Sequence, residues 1–270
     1  MVDKIFTDDV FLKFRDFIHT NYGIYYADVK KDLLTLKLNR CLAKSGLNSY
    51  EEYFNVISSD LNCSHSIHFV DEITVNKTGF FREKEHYNFI QSELDYICAS
   101  NPNIIKNKEI KVWSMACSTG QEAYTTAMVL KETLPQTIKI KILATDISNR
   151  VLKVANEGVY PKDIKNEIDP FYLEKYFSRL QNDYKVNDEI KNLVTFRQFN
   201  LMNPFPFSGH FDIIFCRNVM IYFNLDTQKQ MLENINNCLA PGGLLIIGQA
   251  ESILNKNHNF KHILSTIYIK

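Results

Sequence analysis

The stretch that most constrains the fold is residues 111–124, KVWSMACSTGQEAY. An apolar run of strand type enters a turn of small residues, and a helix-forming run leaves it. Such a unit leaves backbone N–H groups free at the helix N-terminus and lets a ligand approach the main chain, as in nucleotide-binding α/β folds. Gly120 is its only glycine, so GxGxxG, the pattern that cradles a pyrophosphate, does not match. The turn favours a nucleoside cofactor without phosphates, and the alternative is an ordinary turn between strand and helix.

Composition excludes several classes of protein. The chain has 270 residues, 45% of them hydrophobic, which suits one large or two modest globular domains. Lys plus Arg and Asp plus Glu both number 31, so nothing in the net charge favours nucleic acid or a membrane as a bulk partner. With a charged N-terminus and no apolar run of membrane-spanning length, we expect a cytoplasmic monomer. The six cysteines form no CxxC pair, which predicts neither a metal site nor disulfides.

Residues 1–72 predict a small helical domain. Apolar residues recur at spacings of three and four in three runs between Phe6 and Ser59, with Gly46 as a helix stop and Ser49 as a helix start. The second run is basic in a neutral chain, through Lys30, Lys31, Lys37, Arg40 and Lys44. This pattern predicts a docking face for an acidic partner, with a solvated helix face as the alternative.

Residues 73–90 connect this domain to the rest of the chain. Unlike a flexible linker, the connection is aromatic, and its polar residues Asn76, Thr78 and Arg82 are interleaved with a glycine and two phenylalanines. We therefore expect it to pack against the protein and to contribute to a pocket at the domain interface.

Residues 91–270 alternate strands and helices, which predicts a doubly wound, mostly parallel α/β sheet. An insertion at about 160–193 is predicted to form either helices or a small hairpin. APGG at 240–243 is expected to be a turn, and the final run FKHILSTIYIK a single edge strand.

Polar residues follow the apolar strands of this sheet, where ligands of open α/β sheets bind. They are Asp146, Asn200, Arg217 and Asn218. Asp146 ends a strand that follows the turn-and-helix unit, which is the position where an acidic residue hydrogen-bonds ribose hydroxyls in nucleotide-binding folds. The alternative is that Asp146 is a helix N-cap. Cys117 and Cys216 flank the same edge and are interpreted as packing residues because of their apolar surroundings.

Six stretches, in order, resemble the motifs of the CheR family of chemotaxis receptor methyltransferases. They are ITVNKTGFFRE, VWSMACSTGQEAY, ILATDIS, FRQFNLM, FDIIFCRNVMIYF and LAPGGLLIIGQAESI. The resemblance extends to the helical domain and implies a class I fold that binds S-adenosylmethionine. It also implies an activity, the esterification of glutamate side chains on chemotaxis receptors with S-adenosylhomocysteine as the second product.

The resemblance further implies roles for individual residues. Cofactor contacts are expected from Asn76, Thr78, Arg82, Glu122, Asp146, Asn200, Leu201, Arg217 and Asn218. Tyr222 is expected to join Arg82 beside the transferred methyl group. The family usually has two acidic residues after the turn glycine, whereas this chain has Gln121 before Glu122.

Chemistry agrees with this interpretation, because a glutamate with a pKa near 4.3 is already ionised and needs no general base. Two alternatives remain open, a regulatory module that binds the cofactor without turnover and a methyltransferase for another substrate. In some family members the insertion captures a receptor C-terminal peptide as an added strand. Here residues 160–193 contain no glycine and many charges, so we predict that no such tether is required.

Overall fold

A computed structural model of the protein describes residues 6–207, 209–253 and 258–270, so the first five residues of the predicted helical domain lie outside it. Four helices precede the α/β region: α1 (Asp8–Tyr22), α2 (Lys31–Ser45), α3 (Tyr50–Ser59) and α4 (Ser64–Ile73). Gly46 ends α2 in the left-handed conformation, and the Ser49 side chain caps α3 by accepting from the backbone of Glu52, as the sequence predicts.

The sequence did not predict α4. Its N-cap is Cys63, whose sulfur accepts from the backbone N–H of Ser66, and cysteine is not among the residues that signal a helix start. Phe69 of α4 packs against Phe14 and Tyr53, at ring-centroid distances of 6.2 and 6.3 Å. The four helices thus share one apolar core.

Three short helices lead from this domain to the first strand: α5 (Glu85–Ser92), α6 (Leu94–Ser100) and α7 (Asn103–Asn107). The main sheet then comprises β1 (Glu109–Met115), β2 (Lys139–Asp146), β6 (Val194–Gln198), β7 (Phe211–Cys216), β8 (Leu239–Ile247), β9 (Lys261–Leu264) and β10 (Ile267–Ile269). The helices connecting its parallel strands include α8 (Gln121–Thr133), α9 (Asn149–Glu157) and α12 (Leu225–Cys238).

The strand order of this seven-stranded sheet is β6-β2-β1-β7-β8-β10-β9. The first five strands are parallel, whereas β10 and β9 are antiparallel. Along β1, Val112 packs into the core on one face and Trp113 into the core on the other. Burial on both faces explains why the central strands are continuously apolar, and the predicted doubly wound sheet is confirmed.

The insertion contains both predicted kinds of structure. It forms an antiparallel sheet of order β3-β5-β4, together with two short helices. Its elements are β3 (Val159–Pro161), a 3₁₀ turn at 162–166, α10 (Pro170–Tyr176), β4 (Phe177–Arg179), β5 (Asp183–Val186) and α11 (Asp188–Lys191). We call residues 159–191 the inserted subdomain.

Two local predictions are wrong. The expected APGG turn lies inside β8, with a left-handed Gly242 so close to α6 that a Cβ there would lie 1.8 Å from the carbonyl oxygen of Ser100. The final run is a hairpin of β9 and β10, because the chain reverses at Ser265, where φ is 41°. Among the described residues, no helix is long and apolar enough to span a bilayer.

Candidate functional site

A cleft with about 1320 Å³ of empty space, part of it open to solvent, lies between the helical domain and the carboxyl ends of the parallel strands. Its lining includes every side chain predicted for the site. These are Asn76, Thr78, Arg82, Glu122, Asp146, Asn200, Leu201, Arg217, Asn218 and Tyr222. The fold therefore brings them together, and their contact with a cofactor stays a prediction.

The turn after β1 is built from unusual backbone. Ala116, Ser118 and Gly120 all have positive φ, at 50°, 51° and 91°. Gly120 is required there because a Cβ would lie only 2.9 Å from the Cβ of Ala155 in α9. Ser118 donates its N–H to Asp146 at 2.8 Å and its hydroxyl to the carbonyl of Asn76 at 2.9 Å. The turn is thus tied both to β2 and to the segment after α4.

Asp146 is 5% exposed and ends β2. Its other carboxylate oxygen accepts from the N–H of Ser148 at 2.9 Å. The N-cap of α9 is Ser148, whose own side chain accepts from Val151, so the N-cap interpretation of Asp146 is wrong. Burial raises the pKa of Asp146, against backbone N–H bonds that favour the ionised form. Each carboxylate oxygen can accept a further bond, which leaves capacity for ribose hydroxyls.

Arg217, whose side chain is 2% exposed, is the central cation of the cleft. Its guanidinium pairs with Glu83 and with Glu122, each at 3.1 Å, and donates to the Tyr87 hydroxyl at 3.2 Å. Burial alone lowers the pKa of Arg217, but these partners outweigh it and the pKa is raised. Arg217 is therefore a fixed positive charge between two carboxylates.

Glu122 lies in the first turn of α8 and lines the cleft. It accepts from the Ser114 hydroxyl at 2.7 Å as well as from Arg217. Burial raises the pKa of Glu122, and Arg217 opposes that rise. Glu122 is the acidic residue that the resemblance selected, and it occupies the same cleft although Gln121 replaces the usual first acid.

Residues 74–83, which we call the strap, carry Arg82 across the cleft. Arg82 lies between Phe81 and Glu83, which both adopt positive φ, at 51° and 57°. Its carbonyl accepts from Arg217 at 2.5 Å, and its guanidinium donates to the carbonyl of Lys77 at 2.9 Å. Tyr222 lines the same cleft, and burial raises its pKa while the charge of Arg82 opposes that rise.

Two carboxylates of the site were missed by sequence reasoning. Glu83 binds Arg217, the Asn218 amide at 3.3 Å and the backbone of Gln249 at 3.2 Å, so it joins the strap to the ends of β7 and β8. Its only sequence signal is its place beside Arg82 in FFRE.

Glu251, the second, is 8% exposed and accepts four backbone N–H groups. The donors are Asn218, Val219, Met220 and Gly248, at 2.7 to 2.9 Å. This carboxylate holds the left-handed Asn218 and the turn that leads to Tyr222. An acid following an apolar strand, in GQAES, was its signal.

The helical domain closes one side of the cleft. Asn200 donates its amide to the carbonyl of Asn21 at the end of α1 at 2.7 Å, and accepts from the backbone of Met202 at 3.0 Å. Leu201 packs into the core beneath the sheet. On the other side, Asp71 of α4 accepts from the Ser148 hydroxyl. The two domains are therefore joined at both sides of the cleft.

The basic residues of α2 and the turn before it do not form one free face. Lys37 is half-buried in the cleft lining, where it donates to the carbonyl of Glu72 at 2.6 Å, and burial lowers its pKa. Lys31 pairs with Asp8, and Lys44 with the Glu72 carboxylate at 3.1 Å.

Two of the five predicted docking residues are exposed and less engaged in hydrogen bonds and ion pairs. Lys30 is exposed and lines the cleft. Arg40 is exposed and makes no hydrogen bond or ion pair with the described residues. Docking by this face stays a prediction.

The donor set fits S-adenosylmethionine. Glu122 and Asp146 offer carboxylates suited to an ammonium group and to ribose hydroxyls, beside the apolar side chains of Ile147 and Val219. Cys117 and Cys216 are buried, as predicted, and burial raises the pKa of both thiols, which keeps them neutral. Within the part of the chain that the structure describes, no group of three His, Cys, Asp or Glu residues could hold a metal ion.

Comparisons with known proteins identify the family of this chain. Residues 76–269 match the model "CheR methyltransferase, SAM binding domain", and residues 9–74 match "CheR methyltransferase, all-alpha domain". A chemotaxis protein methyltransferase of Borreliella burgdorferi is 37% identical over 98% of this chain and 95% of its own length. The chemotaxis protein methyltransferase of Escherichia coli is 32% identical over 99% of this chain and 93% of its own length.

Among solved structures, PKMT2 from Rickettsia typhi in complex with AdoHcy is 18% identical, with a TM-score of 0.34 over 52% of this chain and 21% of that chain. A similarity of that size adds nothing about the site. The two family matches and the near full-length relatives are sufficient by themselves. The chain belongs to the CheR family of S-adenosylmethionine-dependent methyltransferases.

Proposed function

We propose that this protein transfers methyl groups from S-adenosylmethionine to glutamate side-chain carboxylates of chemotaxis receptors, giving methyl esters and S-adenosylhomocysteine. The observation that carries the proposal is the single cleft that unites Arg82 and Tyr222 with the acidic residues suited to the cofactor. We further propose that the protein acts as a cytoplasmic monomer on the cytoplasmic regions of those receptors.

The cofactor supplies an electrophilic methyl group on a sulfonium. On our proposal Asp146 and Glu122 hold it, with Asn76, Thr78, Asn200, Leu201, Arg217 and Asn218 completing the site. The Arg217 cluster is already paired and buried, so its charges need no reorganisation during the reaction.

Arg82 and Tyr222 are proposed to meet the incoming carboxylate. Arg82 is the only one of the two with a permanent charge, and a guanidinium fork is suited to carboxylate oxygens. The acceptor glutamate is ionised at neutral pH, so the site has to orient it and exclude water but does not have to remove a proton. Accordingly, no histidine belongs to the lining of the cleft as the structure describes it.

Docking of the receptor is proposed on the exposed side of the helical domain at the mouth of the cleft. Lys30 supplies positive charge at the mouth and Arg40 supplies it further along α2, and the exposed apolar side chains of Val29, Leu33 and Leu36 lie on the same stretch of chain. An acidic helix with some apolar side chains has the complementary surface. Lys37 is not part of this docking surface, because its ammonium already donates to the backbone carbonyls of Glu72 and Thr74 at the end of α4.

The function is tested with the Arg82→Ala variant and methyl-labelled cofactor. We expect wild-type protein to label a receptor cytoplasmic fragment. The variant should lose turnover by orders of magnitude while keeping its melting temperature, because among the described residues the Arg82 side chain hydrogen-bonds only to Lys77. Near-normal turnover of the variant removes Arg82 from the site. Saturable cofactor binding by wild type without any labelling identifies a binding module, and labelling of a small molecule alone identifies another substrate.

A further inference from the structure

The inserted subdomain touches the strap directly. Glu167, at the end of the 3₁₀ turn, accepts a hydrogen bond from the backbone N–H of Phe80 at 2.8 Å. Gly79 passes so close that a Cβ there would lie 3.0 Å from the same carboxylate oxygen. The missing side chain at Gly79 thus gives the Glu167 carboxylate room beside the strap backbone.

Aromatic packing fixes the same point of the strap. The Phe80 ring is 3% exposed and packs edge-on against Tyr160 of β3 and Phe177 of β4, with centroids 5.0 and 5.4 Å away. Its neighbour Phe81 packs against Tyr172 of α10 at 5.0 Å. Side chains from three elements of the inserted subdomain therefore surround the two residues that precede Arg82.

The inserted subdomain also contacts the turn after β1, which contributes Ser118 to the lining of the cleft. The Tyr160 hydroxyl donates to the carbonyl of Thr119, in the turn after β1, at 2.6 Å. One strand of the inserted subdomain therefore contacts both the strap and the turn after β1, which are themselves joined by the hydrogen bond from Ser118 to Asn76. A subdomain that served only as an attachment point for a partner would need neither contact.

We infer that the inserted subdomain is a positioning element for methyl transfer, and that Glu167 is the positioning residue that fixes Phe80 and, through it, Arg82. This inference rests on the proposed function for its kinetic consequence. Glu167 does not line the cleft and acts only through the strap.

The test compares three variants with wild type. Glu167→Ala removes the acceptor for the Phe80 N–H, and Glu167→Gln keeps a side-chain carbonyl that can accept it. Glu174→Ala is the matched control, because Glu174 is an exposed acid of α10 in the same subdomain with no hydrogen bond or ion pair to the described residues. Amide hydrogen exchange over residues 78–82 and turnover on a receptor fragment are measured for each.

We expect exchange of the Phe80 amide to rise about tenfold in Glu167→Ala, since that amide loses the one acceptor it has in the described part of the chain. Turnover should fall by about tenfold or more, because small misplacements of a reacting group are costly. In Glu167→Gln, amide exchange and turnover should both stay within about twofold of wild type, because a neutral acceptor suffices for a backbone N–H. Glu174→Ala should match wild type in both measurements.

The inference is overturned if Glu167→Ala has the same amide exchange and the same turnover as Glu174→Ala. Equal loss in Glu167→Ala and Glu167→Gln also overturns it, because charge and not the hydrogen bond is then responsible. If wild-type protein esterifies no receptor, the proposed function fails, and the exchange comparison still decides whether Glu167 positions the strap.

Discussion

Arg217 offers the sharpest test of how the cleft is held together. Its guanidinium, 2% exposed, lies between the carboxylates of Glu83 and Glu122, which are 10% and 13% exposed. Replacing it by methionine fills similar space but leaves two buried acids without a cation. Breaking a buried ion pair in this way costs about 3–5 kcal/mol, or a melting temperature lower by about 6–20 °C for a domain of this size.

The loss of stability in Arg217→Met should depend on pH, and the direction of that dependence follows from the two acids. Burial raises the pKa of Glu83, but the charge of Arg217 and the hydrogen bonds from Arg217 and Asn218 together outweigh burial, and the pKa is lowered. In wild type this pairing stabilises the fold above the unfolded pKa of glutamate and is lost as pH falls through the lower, folded pKa. In Arg217→Met the cation is gone, while burial and the neutral donors Asn218 and Ser114 remain, so the pKa of both acids rises and protonation relieves the penalty. The difference between the two proteins should therefore shrink from pH 7.5 to pH 5.5.

The assay is thermal unfolding at both pH values, without cofactor. Lys44→Met is the control, because it removes an ion pair at 3.1 Å in which the lysine is 60% exposed, and such a pair is worth less than about 1 kcal/mol. The reasoning is refuted if Arg217→Met melts within a few degrees of Lys44→Met, or if its deficit is the same at the two pH values.

Three further predictions concern the ligands. Asp146→Asn should cost roughly 1.5–3 kcal/mol of affinity for S-adenosylhomocysteine in calorimetry, because charged acceptors are lost, and unchanged affinity would show that Asp146 only orders the turn. Lys30→Glu with Arg40→Glu should weaken receptor methylation at low salt and spare cofactor binding, since salt screens the attraction between exposed charges. Activity equal to wild type at low salt would count against docking there. A receptor C-terminal tail peptide should show no saturable micromolar binding, and binding that is lost on changing residues of the inserted subdomain would prove a tether.

Much of the fold could be predicted because parallel strands covered on both faces are continuously apolar, as Phe211–Cys216 is. Polar residues that follow such strands must meet at one edge, which is why Asp146, Arg217 and Asn218 could be placed in one cleft. The aromatic composition of residues 73–90 indicated that the strap contributes to the pocket, and the ordered motifs supplied Tyr222, which no periodicity predicts.

What could not be predicted depends on contacts distant in sequence. Glu83 meets Arg217, and Gly242 lies against Ser100, across more than a hundred residues. Neither contact leaves a pattern in the sequence near the residues that make it. Lys37 was grouped with exposed lysines because charge spacing does not show that the carbonyl of Glu72 lies within reach.

The most direct test of the central claim is the chemistry of the transferred methyl group. Purified protein is incubated with S-adenosylmethionine labelled in its methyl group and a receptor cytoplasmic fragment, and the labelled fragment is then treated with mild alkali. Because esters hydrolyse in alkali and methylated amines do not, our account predicts receptor-bound label that is released as methanol and that is absent with Arg82→Ala. Label that survives alkali, or a fragment that is never labelled although the cofactor binds, would contradict it.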